Sequence, residues 1–425
     1  CYASDVRRSA RAGPPQNRRD RTLLFRTPPF GAKGVPPLWL LVMATVSGTL
    51  SLHILVPALP LAAADLGVSE AAIQQAITQY VIGLAIGQLI YGPLSDRFGR
   101  RPILLCGLLL YTIGGVAAWL APNVLVLIGA RIVQALGGCG GLVLGRAIQR
   151  DVAGPTEAAA RLAILTLIVA LGPALAPLVG SFLAVGFGWR AILALTAALG
   201  AVTVVAACLI LPETHTARRT GGLLRAYLPL LRNRSFLGYA VGGACTTTSF
   251  YAYITASPFI FVDMLHRPVT EAGASYIVVF GGVSLGAFIG NRLMKRVAPI
   301  PLLNAGSTIA IVGTSLFFAA SLTGFLSVTS MLLAMVIVTI GFGIASALAI
   351  TGALSSAPDA IGAASGLYGF SQMAVGALCT LLVGIWPADH AVAAASVMLI
   401  AMLIGRGALT VATRRGFGTP DQSGA

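Results

Sequence analysis

From residue 38 onward the chain alternates long apolar runs with short polar breaks. Twelve runs fall near 38–60, 71–93, 102–120, 123–148, 161–185, 189–211, 236–262, 272–291, 301–320, 326–351, 361–386 and 391–411. A helix of about 20 apolar residues crosses the hydrocarbon core of a bilayer. Most breaks are short, such as Ala121-Pro122-Asn123 and Gly186-Phe187-Gly188. One long interruption near 212–235 divides the runs into two sets of six. The pattern predicts an all-α membrane protein of twelve transmembrane helices. It has an N-terminal bundle over 38–211, a central loop over 212–235, a C-terminal bundle over 236–411, and tails at 1–37 and 412–425.

Charge placement orients these spans. The net charge of +15 and pI near 10.3 would suit a nucleic-acid binder, but the charges lie in tails and short loops and report topology instead. With the N-terminus inside, 25 Lys and Arg fall on the inner side, only Arg190 and Arg267 fall outside, and Arg131 lies within a span. Both ends are therefore expected to be cytoplasmic. Residues 1–37 form a basic, proline-containing tail expected to be disordered, with anionic lipid as a partner. An Arg-rich presequence is the other reading, but amphipathic periodicity is lacking. Without an initiating Met, the start at Cys1 reads as incomplete or unusual. The remaining five cysteines sit in apolar runs without paired spacing and read as small apolar side chains.

One break carries unusual chemistry. Gly92-Pro93-Leu94-Ser95-Asp96-Arg97-Phe98-Gly99-Arg100-Arg101-Pro102 holds two glycines, one acid and three arginines. A basic juxtamembrane turn needs no glycine or acid at fixed spacing. A weaker echo, Gly290-Asn291-Arg292-Leu293-Met294-Lys295-Arg296, follows span 8, without the acid. A six-plus-six repeat predicts two pseudo-symmetric bundles with a midplane site between them. The first stretch resembles the loop between helices 2 and 3 of the major facilitator superfamily. Gly92, Leu94, Asp96, Arg97, Gly99, Arg100 and Arg101 fit, with Arg at the final Lys position. The resemblance implies a latch on the cytoplasmic side of the outward-open state.

Other stretches extend the resemblance over roughly residues 38 to 411. Arg131-Ile132-Val133-Gln134-Ala135-Leu136-Gly137-Gly138 resembles the helix 4 element whose arginine is implicated in proton coupling. A charge in a span faces a cavity or partner. Snorkelling is the other reading, but Arg131 lies about two turns into its span, on one face with Gln134. Span 5 places Gly172, Ala176 and Gly180 four apart with Pro173 and Pro177, a small-residue packing face that resembles the exporter, chiefly antiporter, signature. The end of span 1 (51–60), the span 4 exit (145–151) and Leu211-Pro212-Glu213-Thr214 resemble the bicyclomycin/chloramphenicol-resistance branch of drug exporters.

That branch usually has an acid four residues before the first helix 1 proline, where this chain has His53. No Asp or Glu occupies the middle of any expected span, so His53 is the one mid-span group that titrates near neutral pH. Two readings stand: His53 carries the exchanged proton with Arg131 tuning its affinity, or it only lines the cavity. Gln75, Gln79 and Gln88, the Thr246–Tyr251 run, Tyr253, Tyr276, Tyr368 and Gln372 are the polar and aromatic groups for a cavity wall, with Gln134 on span 4. For each, helix–helix bonding competes with substrate contact.

No G-x-x-x-x-G-K-[ST] motif, metal-ligand spacing or nucleophile triad appears. The expectation is a non-enzymatic, monomeric exporter in a bacterial inner membrane, without cofactor, exchanging small amphipathic molecules for protons. It would have no nucleic-acid partner. A facilitator or importer is the first alternative, favoured by the missing acid. A non-transporting sensor is the second.

Overall fold

The computed structural model describes residues 35–152, 155–214, 223–386 and 389–415. The basic tail over 1–34, Arg218 and Arg219 of the central loop, and the C-terminal tail from 416 lie outside the described residues. All regular structure among the described residues is helical.

The first crossing is α1 (Leu38–Ile54) and α2 (Leu59–Leu66), joined by a 3-10 turn at Val56–Ala58. Pro57 and Pro60 remove two helix donors there, which ends the α-helix at Ile54. Five crossings follow: α3 (Glu70–Phe98), α4 (Arg100–Trp119), α5 (Val124–Val152), α6 (Pro155–Phe187) and α7 (Trp189–Ile210). Ser69 starts α3 by accepting the Ala72 N–H at 3.3 Å. Then come α8 (Leu223–Arg232), α9 (Arg234–Thr248), α10 (Tyr251–Phe259), α11 (Val269–Leu293), α12 (Pro299–Leu322), α13 (Val328–Ser355), α14 (Ile361–Ile385) and α15 (His390–Arg415).

Eleven stretches among the described residues are long and apolar enough to cross a membrane as helices. The twelfth crossing is α9 and α10 with a π-turn at Ile260–Met264, interrupted at Ser249-Phe250. Three hydroxyls before the break bond back along the helix: Thr246 to Gly242 (2.8 Å), Thr247 to Gly243 (2.7 Å) and Thr248 to Ala244 (2.7 Å). Such back-bonding bends helices.

Two expectations are corrected. The break at 92–102 is mostly helix, since α3 continues to Phe98 and only Gly99, at φ +98°, leaves helical geometry. The central loop contains α8. Half-buried Tyr227 and buried Leu230, three residues apart, give it an apolar face toward the protein. Leu230 is buried on that face and Arg232 points to solvent.

Helices α1–α7 pack into one bundle and α9–α15 into a second. The bundles meet along α3 with α14 and along α6 with α11. Within the first bundle, α5 crosses α1 at near backbone contact: a Cβ on Gly138 would lie 2.8 Å from Gly48 Cα, and one on Gly141 would overlap the Ala44 carbonyl. The glycine run 137–141 thus thins α5 so that two backbones can touch.

Candidate functional site

The face from which α1 starts carries a charge cluster built from three chain segments. Arg100 is its hub: Nη1 pairs with Asp96 Oδ1 at 2.6 Å and with Ser95 Oγ at 2.5 Å, and Nε pairs with Asp151 at 3.0 Å. Gly99 offers no side-chain cap to α4, and Glu213 from beyond α7 supplies one. Its carboxylate accepts the N–H of Arg100 at 2.9 Å and of Arg101 at 3.3 Å. A Cβ on Gly99 would sit 2.5 Å from that carboxylate, on a backbone that already needs positive φ. Arg101 also donates to the Cys208 carbonyl at 3.0 Å. Arg97 stacks over Phe98 at 5.1 Å. Gly92 faces open space. The structure therefore joins Asp96, Gly99, Arg100 and Arg101, with Asp151 and Glu213 as partners, while Arg97 and Gly92 stand apart.

Arg131 is fully buried and meets no carboxylate among the described residues. Nη1 donates to Gln134 Oε1 at 2.7 Å, Nη2 donates to the Ser51 carbonyl at 2.8 Å, and the guanidinium lies 4.0 Å over the Tyr80 ring. Gln134 in turn donates to Thr196 Oγ1 at 3.3 Å, and Ser51 Oγ meets Tyr111 Oη at 2.5 Å. Charge-assisted bonds and ring contact hold the cation inside one bundle. Gln134 belongs to this network.

His53 faces the other way, toward the second bundle. Its ring lies 6.3 Å from Tyr251 and 6.1 Å from Phe280. Nδ1 sits 2.8 Å from the Thr49 carbonyl, which places the proton on Nδ1 and leaves Nε2 as the basic nitrogen. No contact joins His53 to Arg131; the two share only α1, through Ser51.

The remaining cavity candidates divide. Gln372 donates to Thr247 at 3.0 Å, and Gly376 of the same helix leaves room for the Tyr251 ring. Among the described residues, half-buried Gln79 meets Gln75, at 3.5 Å on its own helix. Tyr253 stacks on Phe250 at 5.5 Å inside the second bundle, and buried Tyr368 lies against Gly243. His53, Tyr251 and Phe280 thus lie together where the bundles meet, with Gln372 nearby, while Tyr253 joins Phe280 only through Phe250 and Tyr276 and Tyr368 packs elsewhere.

Helix α6 runs through both Pro173 and Pro177 without interruption. Its small face packs on α1: a Cβ on Gly180 would overlap the Ile54 carbonyl, whereas Gly172 stands 4.0 Å from Thr49.

Sequence reasoning missed two further groups. Pro93 has no N–H for the Leu89 carbonyl four residues back. Tyr227 of α8 donates its hydroxyl to that carbonyl at 3.0 Å. Pro258 strands the Ile254 carbonyl in the same way, and Tyr276 caps it at 3.0 Å. A proline inside a span was the available signal; which tyrosine answers it depends on tertiary contact. On the opposite face, His390 of α15 pairs with Glu70 of α3 and stacks on Phe259 at 5.1 Å.

Residues 41–380 match the profile described as Major Facilitator Superfamily. The chain is 30% identical over 388 residues to the uncharacterized MFS-type transporter YdgK of Bacillus subtilis, covering 89% of this chain and 95% of that protein. It is 31% identical over 350 residues to the chloramphenicol resistance protein of Pseudomonas aeruginosa, covering 81% and 82%. Among solved structures, a bacterial homolog of the human lysosomal transporter Spinster, inward-facing and occupied, superposes at a TM-score of 0.68. It shares 18% identity, over 89% of this chain and 96% of that one, and so supports the fold.

Proposed function

The chain belongs to the Major Facilitator Superfamily, and from that premise we propose that it exports small amphipathic, drug-like molecules in exchange for protons. The face from which α1 starts is the cytoplasmic one in this reading, because the charge pattern of the sequence assigns 25 of the 28 basic residues to that side. The membrane is a bacterial inner membrane and the working unit a monomer. The partners are protons and an uncharged or weakly charged solute.

One observation carries the proposal. Among the described residues, His53 is the mid-span imidazole, a side chain able to take up and give up a proton, and it stands where the two bundles face each other. Protonated, its imidazolium depends on solvation from the space between the bundles, because burial disfavours the charged form. An entering apolar solute displaces that environment and favours release of the proton from Nε2. Arg131 acts as a positioning residue. It grips the Ser51 carbonyl, half a turn before His53, and its fixed charge opposes a second positive charge in the same bundle. The chloramphenicol resistance relative supports an amphipathic substrate of this size class. The proline-containing small face of α6 supports export by rocking of the bundles.

The test is proton release from the purified protein on adding chloramphenicol and other drugs, for wild type and His53→Ala. Release by wild type that is lost in the variant is the expected result. Undiminished release in the variant moves the proton off His53. Binding without release overturns coupling and favours the second reading, a facilitator. The absence of a carboxylate around Arg131 among the described residues is the feature that favours that reading.

A further inference from the structure

The protein covers only part of the apolar side of α8. Tyr227 is half-buried and Leu230 buried, but Leu228 and Leu231 are 51% and 50% exposed. At 3.6 residues per turn, Leu231 lies about 40° round the helix from Tyr227, and Leu228 about 60° further on. The four side chains therefore share one apolar arc. Its inner half rests on the bundles and its outer half is bare.

Bonds at both ends fix how the helix is turned. Tyr227 donates to the Leu89 carbonyl of α3 at 3.0 Å. Asn233, directly after α8, donates to the Ser356 carbonyl at the end of α13 at 2.8 Å, and its Oδ1 accepts the N–H of Ser235 and Phe236. Depth is set by the same contacts. Leu89 lies nine residues before the end of α3 at Phe98, about 13 Å along the helix. A Cβ on Gly366, inside α14, would stand 3.6 Å from the Tyr227 hydroxyl. The Tyr227 edge of α8 thus lies alongside the spans and not beyond their ends.

The charge of the segment selects what covers the bare arc. Between Glu213 and Asp263 the chain has no acidic residue, while Arg218, Arg219, Arg225, Arg232 and Arg234 all fall there. Arg232 and Arg234 are exposed, and neither makes an ion pair among the described residues. An apolar arc at the depth of the spans, with unpaired arginines at its end, matches a molecule that has acyl chains and a negatively charged headgroup. A free anion would leave the leucines bare, and a zwitterionic surface would leave the arginines without a counter-charge.

We propose that α8 is a docking surface for anionic phospholipid. Leu228 and Leu231 enter the boundary between headgroups and acyl chains, and Arg232 and Arg234 hold the headgroup phosphates. Because Tyr227 reaches the first bundle and Asn233 the end of α13 in the second, lipid that holds α8 also steadies a bridge between the bundles. The surface is separate from His53 and does not depend on proton exchange or on which solute is moved.

The test places a bimane at Leu228→Cys of the full-length protein, with Cys1, Cys106 and Cys208 changed to Ser, in nanodiscs of phosphatidylcholine with or without phosphatidylglycerol. A nitroxide-bearing lipid and aqueous iodide are the two quenchers. Both leaflets carry the same lipid, so the result does not depend on orientation. Lipid quenching is expected to exceed iodide quenching, to rise with phosphatidylglycerol, and to lose that rise at high salt. Arg232→Gln/Arg234→Gln is expected to melt like the parent and lose the rise, and Arg232→Lys/Arg234→Lys, which keeps the charge, to restore it. Dominant iodide quenching puts the arc in water and overturns the proposal. So does lipid quenching that is equal with and without phosphatidylglycerol, a rise that survives in the glutamine variant, or a rise that lysine does not restore.

Discussion

Arg131 shows what a single buried charge demands of its neighbours. Its fork fits two acceptors at 2.7 and 2.8 Å and lies flat on Tyr80. Lysine keeps the charge but has neither the fork nor the planar face. Arg131→Lys is therefore expected to fold and to lose export by at least about tenfold, since one charge-assisted bond is worth roughly 1.5–3 kcal/mol. Vesicle flux beside a melting curve reads both. Glycines on the same helix give a sharper contrast. A Cβ at Gly141 overlaps the Ala44 carbonyl, while Gly129 faces nothing within 4 Å. Gly141→Ala is expected to cost about 1–3 kcal/mol by overpacking. Gly129→Ala should be neutral or gain up to about 1 kcal/mol from helix propensity. Arg131 and His53 were legible in the sequence as exceptions to apolar runs. Their partners were not: nothing in the order of residues says that Ser51 faces Arg131 while His53, two positions on, faces Tyr251.

At the scale of elements, proline and tyrosine act in pairs. Pro93 with Tyr227, and Pro258 with Tyr276, each leave a helix carbonyl capped from a neighbouring element. A double-mutant cycle isolates the first. Tyr227→Phe is expected to cost about 1 kcal/mol in the native background and nothing in Pro93→Ala, where residue 93 regains the N–H that serves Leu89. An equal loss in both backgrounds would refute the pairing. Helix α8 itself was readable from its apolar spacing once the long break was no longer treated as uniformly polar. Charged Arg218, Arg219, Arg225, Arg232 and Arg234 dominated that stretch and hid the amphipathic turn between them. The broken seventh crossing has a local cause, three successive threonines bonding backwards, that hydropathy alone does not register.

At the scale of the whole molecule, the two bundles touch on both faces. Tyr227 reaches Leu89 on one, and Glu70 meets His390 on the other, where Gly273 also packs against Pro177 and Ser181. A Cβ on Gly273 would lie 2.7 Å from the Pro177 carbonyl, so Gly273→Val should push the bundles apart on that face. Tyr227→Phe loosens the other. The two substitutions are expected to move spin-label distances across the face from which α1 starts in opposite directions. A shift of the same sign in both would sink the picture of opposed seams. The number of crossings and the likeness of the halves were legible because lipid thickness constrains each helix separately. The seams were not, because packing between apolar helices leaves no period in the sequence.

The closure of Arg131 without a carboxylate has an electrical consequence. Under the proposed rocking of the bundles, the first bundle would carry the charge of Arg131, which has no carboxylate partner among the described residues, through part of the membrane field. Crossing the full membrane field is worth about 2.3 kcal/mol per 100 mV for one elementary charge. A displacement through a tenth of the field then biases the two states by roughly 0.2 kcal/mol per 100 mV. A potassium diffusion potential imposed on proteoliposomes should tilt the conformational balance slightly in wild type and leave Arg131→Met indifferent. On that proposal the chain would feel voltage even when no solute is moving.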